Sequence, residues 1–145
     1  MHKILLVVRG LFCFFFLTVC FSCDLRNPHQ KQIEKMEFLL WEYPDSVYLL
    51  LDSLINENDL DEACFAKSCL IISKAADKID KRLLSVTDYE KALYWYIDHG
   101  DIDRLGQIYK SLGLSYLEDL QYEKAMNAYL HALSIFEKIQ DYNSS

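Results

Sequence analysis

The chain has 145 residues, with 22 acidic and 15 basic side chains, and its net charge at neutral pH is −7. It lacks the surplus of lysine and arginine that neutralises phosphates, so duplex nucleic acid and anionic lipid head groups are unsuitable partners. It has four glycines and shows no phosphate loop, nucleophile elbow or paired metal motif. We therefore expect no catalytic residue, no cofactor, no metal site and no nucleic-acid partner.

The first 22 residues have the pattern of a secretory signal peptide. Two cations precede a wholly apolar run at residues 11–21, which is shorter than the roughly 20 residues that cross a bilayer core. A longer helix over residues 4–22 is the alternative, but it would bury Arg9 within the membrane. Cleavage is therefore favoured over a permanent anchor. Removal of residues 1–22 lowers the net charge to −9, because it removes two cations and no acid.

The end of the apolar run, Val19-Cys20-Phe21-Ser22-Cys23, resembles the lipobox of bacterial lipoproteins. Ser22 fits that pattern, while Cys20 stands where the family usually has leucine. The resemblance implies that Cys23 becomes a lipidated N-terminus carrying fatty acyl chains such as palmitate, with residues 23–27 as a short tether. It also implies a membrane-anchored lipoprotein of the cell envelope, on the periplasmic or outer-membrane side. Each buried CH₂ contributes about 0.8 kcal/mol, so two or three chains hold firmly.

Local signals predict three helices in the next part of the chain. Asn27-Pro28 provides an N-cap and a first helical residue for a helix over about residues 28–42. Pro44-Asp45 ends that helix and begins a second, which stops at the polar turn of residues 56–59. A third helix is expected over about residues 60–77, with many small residues on its apolar side.

Cys64 and Cys69 are the two cysteines of the predicted helical domain. Five residues apart on one helix, their side chains point about 140° away from each other, so they cannot form a disulfide. We predict that both are buried as small apolar residues.

Three further helices complete the pattern. Thr87 and Glu90 have the spacing of a capping box and predict the start of a fourth helix, which His99-Gly100 closes. A fifth helix is expected over about residues 102–117 and a sixth over about residues 121–140.

The fourth and sixth helices contain an internal repeat. Tyr89-Glu90-Lys91-Ala92-Leu93 and Tyr96 recur 33 residues later as Tyr122-Glu123-Lys124-Ala125-Met126 and Tyr129. A repeat of this length indicates stacked helical hairpins, each of which buries the apolar face that its neighbour leaves open.

Residues of the last two helices stand at a set of fixed spacings: Leu112, Gly113, Tyr116, Tyr122, Ala125, Tyr129 and Ala132. They resemble the signature of the tetratricopeptide repeat. The chain departs from that signature at Leu120, where the family prefers glycine, and at Glu137, where it prefers proline. The segment Pro44-Asp45-Ser46 is similar to the opening of bacterial lipoproteins that contain this repeat.

The resemblance implies an all-α fold, a right-handed α-solenoid of about three antiparallel helix hairpins. These would lie at about residues 28–57, 60–99 and 102–140 of a helical domain that covers residues 28–145. Such repeats bind other proteins, so the implied function is a membrane-tethered scaffold that binds a protein or peptide in a helical groove. The alternative is a truncated or degenerate regulator of the same type that lacks its output domain. The groove residues implied for the fifth helix are Gln107, Lys110, Leu114 and Leu117.

Two clusters leave alternatives open. The polar segment at residues 98–103 could bind a cation, but helix caps at Gly100 and Asp101 are the favoured interpretation. Four aromatic residues near the middle of the fourth helix could form a stacking platform, yet helical spacing spreads them around the helix. We predict that Tyr89 and Tyr96 are core residues, that Tyr94 or Trp95 is exposed, and that His29 and His131 are solvated.

The sixth helix has apolar residues on a side that no later predicted helix covers: Met126, Leu130, Leu133 and Phe136. An uncovered terminal face of this kind predicts self-association, a partner helix or a truncated reading frame.

Overall fold

The computed structural model describes residues 27–57, 59–100 and 102–144. The predicted signal peptide, Cys23, most of the tether and Asp101 lie outside these residues. The described chain contains six helices and no strand, so the predicted all-α class is confirmed. The helices are α1 (Pro28–Leu39), α2 (Pro44–Asn56), α3 (Glu62–Ile79), α4 (Val86–His99), α5 (Ile102–Glu118) and α6 (Tyr122–Ser144).

The start of α1 is as predicted, but its end is not. Asn27 caps the helix by accepting a hydrogen bond from the backbone N–H of His29 at 3.1 Å, and Pro28 is the first helical residue. The helix ends at Leu39, three residues before the predicted end, because the N–H groups of Glu42 and Tyr43 both bond to the Leu39 carbonyl. This tight turn keeps the residue before Pro44 out of the helical conformation that a following proline disfavours.

The predicted capping box at Thr87 and Glu90 is wrong. Ser85 caps α4: its Oγ accepts from the backbone N–H of Asp88 at 3.2 Å and donates to Asp88 Oδ2 at 2.6 Å. The same pattern of a hydroxyl followed three residues later by an acid therefore operates two residues earlier. The earlier start makes Val86 the first residue of the helix, where it packs against the core.

Gly100 ends α4 with φ −88° and ψ 162°, which is extended rather than left-handed backbone. A side chain at this position would overlap the ring of Tyr96, so close approach explains the glycine. The left-handed positions are instead Asp80, with φ 53°, and Leu120, with φ 60°. Leu120 thus adopts the conformation for which glycine is suited, which costs about 1–2 kcal/mol for an ordinary residue.

Each helix packs against the next one along the chain, and α3 also contacts both α1 and α5. The most extensive packing joins α5 and α6. Close approach there depends on small residues: a Cβ on Gly113 would lie 2.8 Å from the ring of Tyr129, and one on Gly106 would lie 2.8 Å from the ring of Phe136. These glycines let two aromatic rings rest against the backbone of α5.

The core consists of two apolar clusters that meet at α3, one beneath α1 and α2 and one shared with α4, α5 and α6. Cys64 and Cys69 belong to different clusters, and both are buried and free, as predicted. Burial raises the pKa of the Cys64 thiol to about 11. Tyr89 and Tyr96 are core residues, which also confirms their prediction.

The two histidines predicted to be solvated differ. His131 is exposed and stacks on Tyr109, with ring centroids 5.0 Å apart. The prediction for His29 is wrong: its side chain is only 24% exposed, and Nε2 lies 3.6 Å from Asp59 Oδ2. Asp59 lies in the α2–α3 connection, so this contact joins residues 30 apart in sequence.

Candidate protein-binding surfaces

The four implied groove residues follow one edge of α5. Gln107 and Leu114 are half-buried, and Lys110 and Leu117 are exposed. Gln107 lines a cleft of about 180 Å³ between α1, α3 and α5. The other three residues lie further along the helix, towards its C-terminal end.

Two pairs of side chains interact in this cleft. Arg104 Nη2 lies 3.8 Å from Glu37 Oε1, and Gln107 Nε2 donates a hydrogen bond to Asp103 Oδ2 at 2.5 Å. The Oε1 atom of Gln107 is buried and accepts no hydrogen bond from the described residues. It is therefore an acceptor that a donor on a bound chain could satisfy.

The tetratricopeptide signature residues divide between core and surface. Leu112, Gly113, Tyr116, Ala125 and Ala132 are buried. Tyr129 is half-buried against Gly113, and Tyr122 is exposed.

The internal repeat allows a direct comparison of α4 with α6. Tyr89 is 0% exposed, whereas Tyr122, its equivalent, is 64% exposed. Leu93 is half-buried, whereas its equivalent Met126 is 61% exposed. The reason is the number of neighbours: α4 packs against α3 and α5, whereas the described helix against which α6 packs is α5. We call the surface formed by Tyr122, Met126 and the adjoining edge of Tyr129 the open α6 face.

Leu130 does not belong to this face, although the sequence pattern predicts that it shares one apolar side of the helix with Met126. It is 56% exposed, but its equivalent Ile97 is 52% exposed on α4, where α5 is present. Exposure of Leu130 is therefore ordinary for this position, and exposure of Met126 is not.

A larger cleft of about 390 Å³ lies between the first turns of α3 and one side of α4. We call it the α3–α4 cleft. The ring of His99 stacks on Trp95, with centroids 5.2 Å apart, and Lys91 Nζ lies 4.2 Å from the centroid of Phe65. The lining residues are Glu62, Phe65, Thr87, Glu90, Lys91, Tyr94, Trp95, Asp98 and His99.

One acid of this cleft also has a partner in the core. Tyr116 donates a hydrogen bond from its hydroxyl to Glu90 Oε1 at 2.6 Å. Burial and this hydrogen bond raise the pKa of Tyr116 to about 12. Sequence reasoning anticipated an exposed Tyr94 but missed the cleft, and the available signal was Trp95, which stands where the repeat has Ala128.

Among the described residues, no group of three or more His, Cys, Asp or Glu side chains is arranged to hold a metal ion. None of the six described helices has the combination of length and apolar character that a membrane crossing requires. Comparisons of the chain with protein-family models, with curated proteins and with solved structures give no match.

Proposed function

We propose that this chain is a tetratricopeptide-like scaffold whose helices form a right-handed array of hairpins and which binds a helical segment of a partner protein. The order of packing supports this arrangement: consecutive helices pair, and α1, α3 and α5 contact one another in succession. The 33-residue repeat of α4 in α6 supports stacking of like units.

The single observation that carries the proposal is the exposure of Tyr122 and Met126 at positions whose equivalents on α4 are covered. A helix in the place that α5 takes on α4 would bury both side chains. On α5 the residues Ile108 and Leu112, four apart, contribute to the core beside α4. The expected ligand is therefore an amphipathic helix with aliphatic residues at i and i+4.

The implied groove residues lie on α5, the helix that packs against α6. Leu117 lies close in sequence to Leu120 and Tyr122, and all three side chains are exposed. We propose that a helix on the open α6 face also reaches the edge of α5 that carries Lys110 and Leu114. We therefore treat the groove and the open α6 face as two parts of one binding surface.

A fluorescent peptide with the sequence of α5, residues 102–118, provides a defined probe. We expect saturable binding to the full chain by fluorescence anisotropy, loss of binding with Met126→Asp, and little effect of the matched change Leu130→Asp. Lys110→Glu combined with Leu114→Asp should weaken binding if the groove takes part. Absence of saturation, or equal effects of Met126→Asp and Leu130→Asp, would contradict the proposal.

A second copy of the chain could also cover the open α6 face. Sedimentation velocity over a range of concentrations distinguishes the two occupants. A monomer that binds the peptide supports a partner helix, whereas a dimer that Met126→Asp dissociates assigns the face to self-association.

The proposed membrane tether is lipid on Cys23, in the cell envelope. Expression in a bacterial host, followed by intact mass measurement, should give a chain that begins at residue 23 and carries a diacylglyceryl group. Cys23→Ala should lose that mass and leave the membrane fraction. A full-length unmodified chain that remains with membranes would instead indicate an anchor formed by residues 4–22.

A further inference from the structure

One residue that lines the α3–α4 cleft differs between the two copies of the internal repeat. Ala128 is 5% exposed and belongs to the core cluster, on a helix that packs against α5. Trp95 is the equivalent residue on α4 and is only half-buried. The indole thus lines an opening at a position where the second copy of the repeat has a small buried residue.

The lining of the cleft favours a positively charged ligand. Three carboxylates line it, from Glu62, Glu90 and Asp98, against one ammonium group, from Lys91. Four rings line it as well, and the face of an aromatic ring attracts a cation. The Lys91 ammonium, 4.2 Å from the centroid of Phe65, already makes such a contact within the chain.

We propose that the α3–α4 cleft binds an arginine side chain in a basic segment of another protein. A guanidinium group is planar, stacks on aromatic rings and donates two parallel hydrogen bonds to a carboxylate, whereas an ammonium group is a compact and strongly hydrated charge. Tyr94, 72% exposed, and the half-buried Trp95 provide accessible rings, and Glu62 and Asp98 provide carboxylates that approach from different helices. The volume of about 390 Å³ admits the side chain together with part of its backbone. This site is separate from the open α6 face.

The chain contains two tryptophans, Trp41 and Trp95, which makes a direct optical test possible. In the Trp41→Phe chain, Trp95 is the only indole and lies in the cleft. We expect a saturable change in its fluorescence on titration with an acetyl-Gly-Arg-Gly-amide peptide. The matched peptide with citrulline, a neutral isostere of arginine, should bind about tenfold more weakly, as loss of a charge-assisted pair predicts. Equal responses to the two peptides, or no saturation with either, would overturn the proposal.

Charge removal at the cleft supplies the second test. Glu62→Gln combined with Asp98→Asn should weaken the arginine peptide about three- to tenfold, the effect expected for two partly exposed ion pairs. The control, Glu37→Gln combined with Asp103→Asn, removes the same charge from the cleft between α1, α3 and α5 and should leave affinity unchanged. Equal losses in the two double variants would show that the peptide responds to the net charge of the chain, and the cleft would not be its site. Thermal unfolding of each variant verifies that both retain the fold.

Discussion

Helices α4 and α6 contain the same Tyr-Glu-Lys-Ala run, followed in each by an apolar residue, yet they occupy different environments. Tyr89 is enclosed in the core shared by α3, α4 and α5, whereas Tyr122 faces solvent. Helical periodicity places the two tyrosines on equivalent faces, and the neighbouring helices determine which face is buried. The difference leaves apolar side chains exposed on α6 at positions that neighbouring helices cover on α4.

A second difference lies on the opposite side of the same two helices. Ala128 is a small residue of the core cluster, whereas Trp95 is half-buried and lines the α3–α4 cleft. At this position of the repeat, α6 therefore has a small core residue and α4 has a large cleft-lining residue.

The largest effect is expected from replacing the two equivalent tyrosines, Tyr89 on α4 and Tyr122 on α6. Tyr89→Ala should lower the free energy of unfolding by about 3–5 kcal/mol, because it leaves a cavity of aromatic size in the core. Tyr122→Ala should change it by no more than about 0.5 kcal/mol in the monomer, because that side chain is exposed. Urea unfolding followed by circular dichroism measures both, and similar losses would mean that Tyr122 is covered.

The next largest effect is expected when Ala128 of α6 is replaced by tryptophan, the residue at the equivalent position 95 of α4. Ala128→Trp should lower the free energy of unfolding by about 1–3 kcal/mol, because an indole overfills a buried site. Asn127→Trp, on the exposed side of the same helix, is the matched control and should be close to neutral. If both changes were equally tolerated, Ala128 would not be closely packed in the core.

The stability of the start of α3 depends on pH, because its capping side chain is a carboxylate. The Asp61 carboxylate caps α3 by accepting from the Cys64 N–H at 2.7 Å and also accepts from the Asn27 amide at 2.7 Å. The Cys64 hydrogen bond is the largest of the effects that lower the pKa of Asp61 below its ordinary value of 3.8. The capping stability is therefore fully present above that pH and is lost as pH falls through the lowered pKa.

Asp61→Ala should accordingly cost about 1 kcal/mol near neutral pH, the usual effect of losing an N-cap. The difference from the parent chain should shrink in acid, below the pKa of the capping carboxylate. Thermal midpoints recorded across this range test the sign. Asp77→Asn, an exposed position later on α3, serves as the control, and a constant difference at all pH values would exclude the carboxylate as the cause.

The smallest effect concerns the two left-handed positions, Asp80 at the end of α3 and Leu120 before α6. Leu120→Gly should raise the free energy of unfolding by about 0.5–1 kcal/mol, because glycine adopts positive φ without the steric cost that leucine incurs. Asp80→Gly should raise the free energy of unfolding by a smaller amount, since aspartate tolerates this conformation better than leucine does. A loss of stability with Leu120→Gly would mean that the exposed leucine side chain makes a contact worth more than the backbone strain.

Local signals were sufficient to predict the all-α class, the Asn27 cap and the burial of Cys64 and Cys69. Each of these depends on a few neighbouring residues or on helical spacing. The start of α4 was mispredicted because Ser85 and Thr87 offer competing caps, and packing of Val86 favours the earlier one. His29 and the α3–α4 cleft depend on contacts between distant segments, which no local pattern specifies.

The most direct test of the open α6 face compares the reactivity of two equivalent positions. Leu93→Cys and Met126→Cys place a thiol on α4 and α6 at the same register. The buried Cys64 and Cys69 contribute little background, and labelling of the parent chain, which has five cysteines, is subtracted. We expect maleimide to label the Met126→Cys chain much faster, and the α5 peptide of residues 102–118 to slow that reaction selectively. Equal labelling rates at the two positions, or no protection of the Met126→Cys thiol by the peptide at any concentration, would contradict the proposal that α6 presents an unfilled helix-binding face.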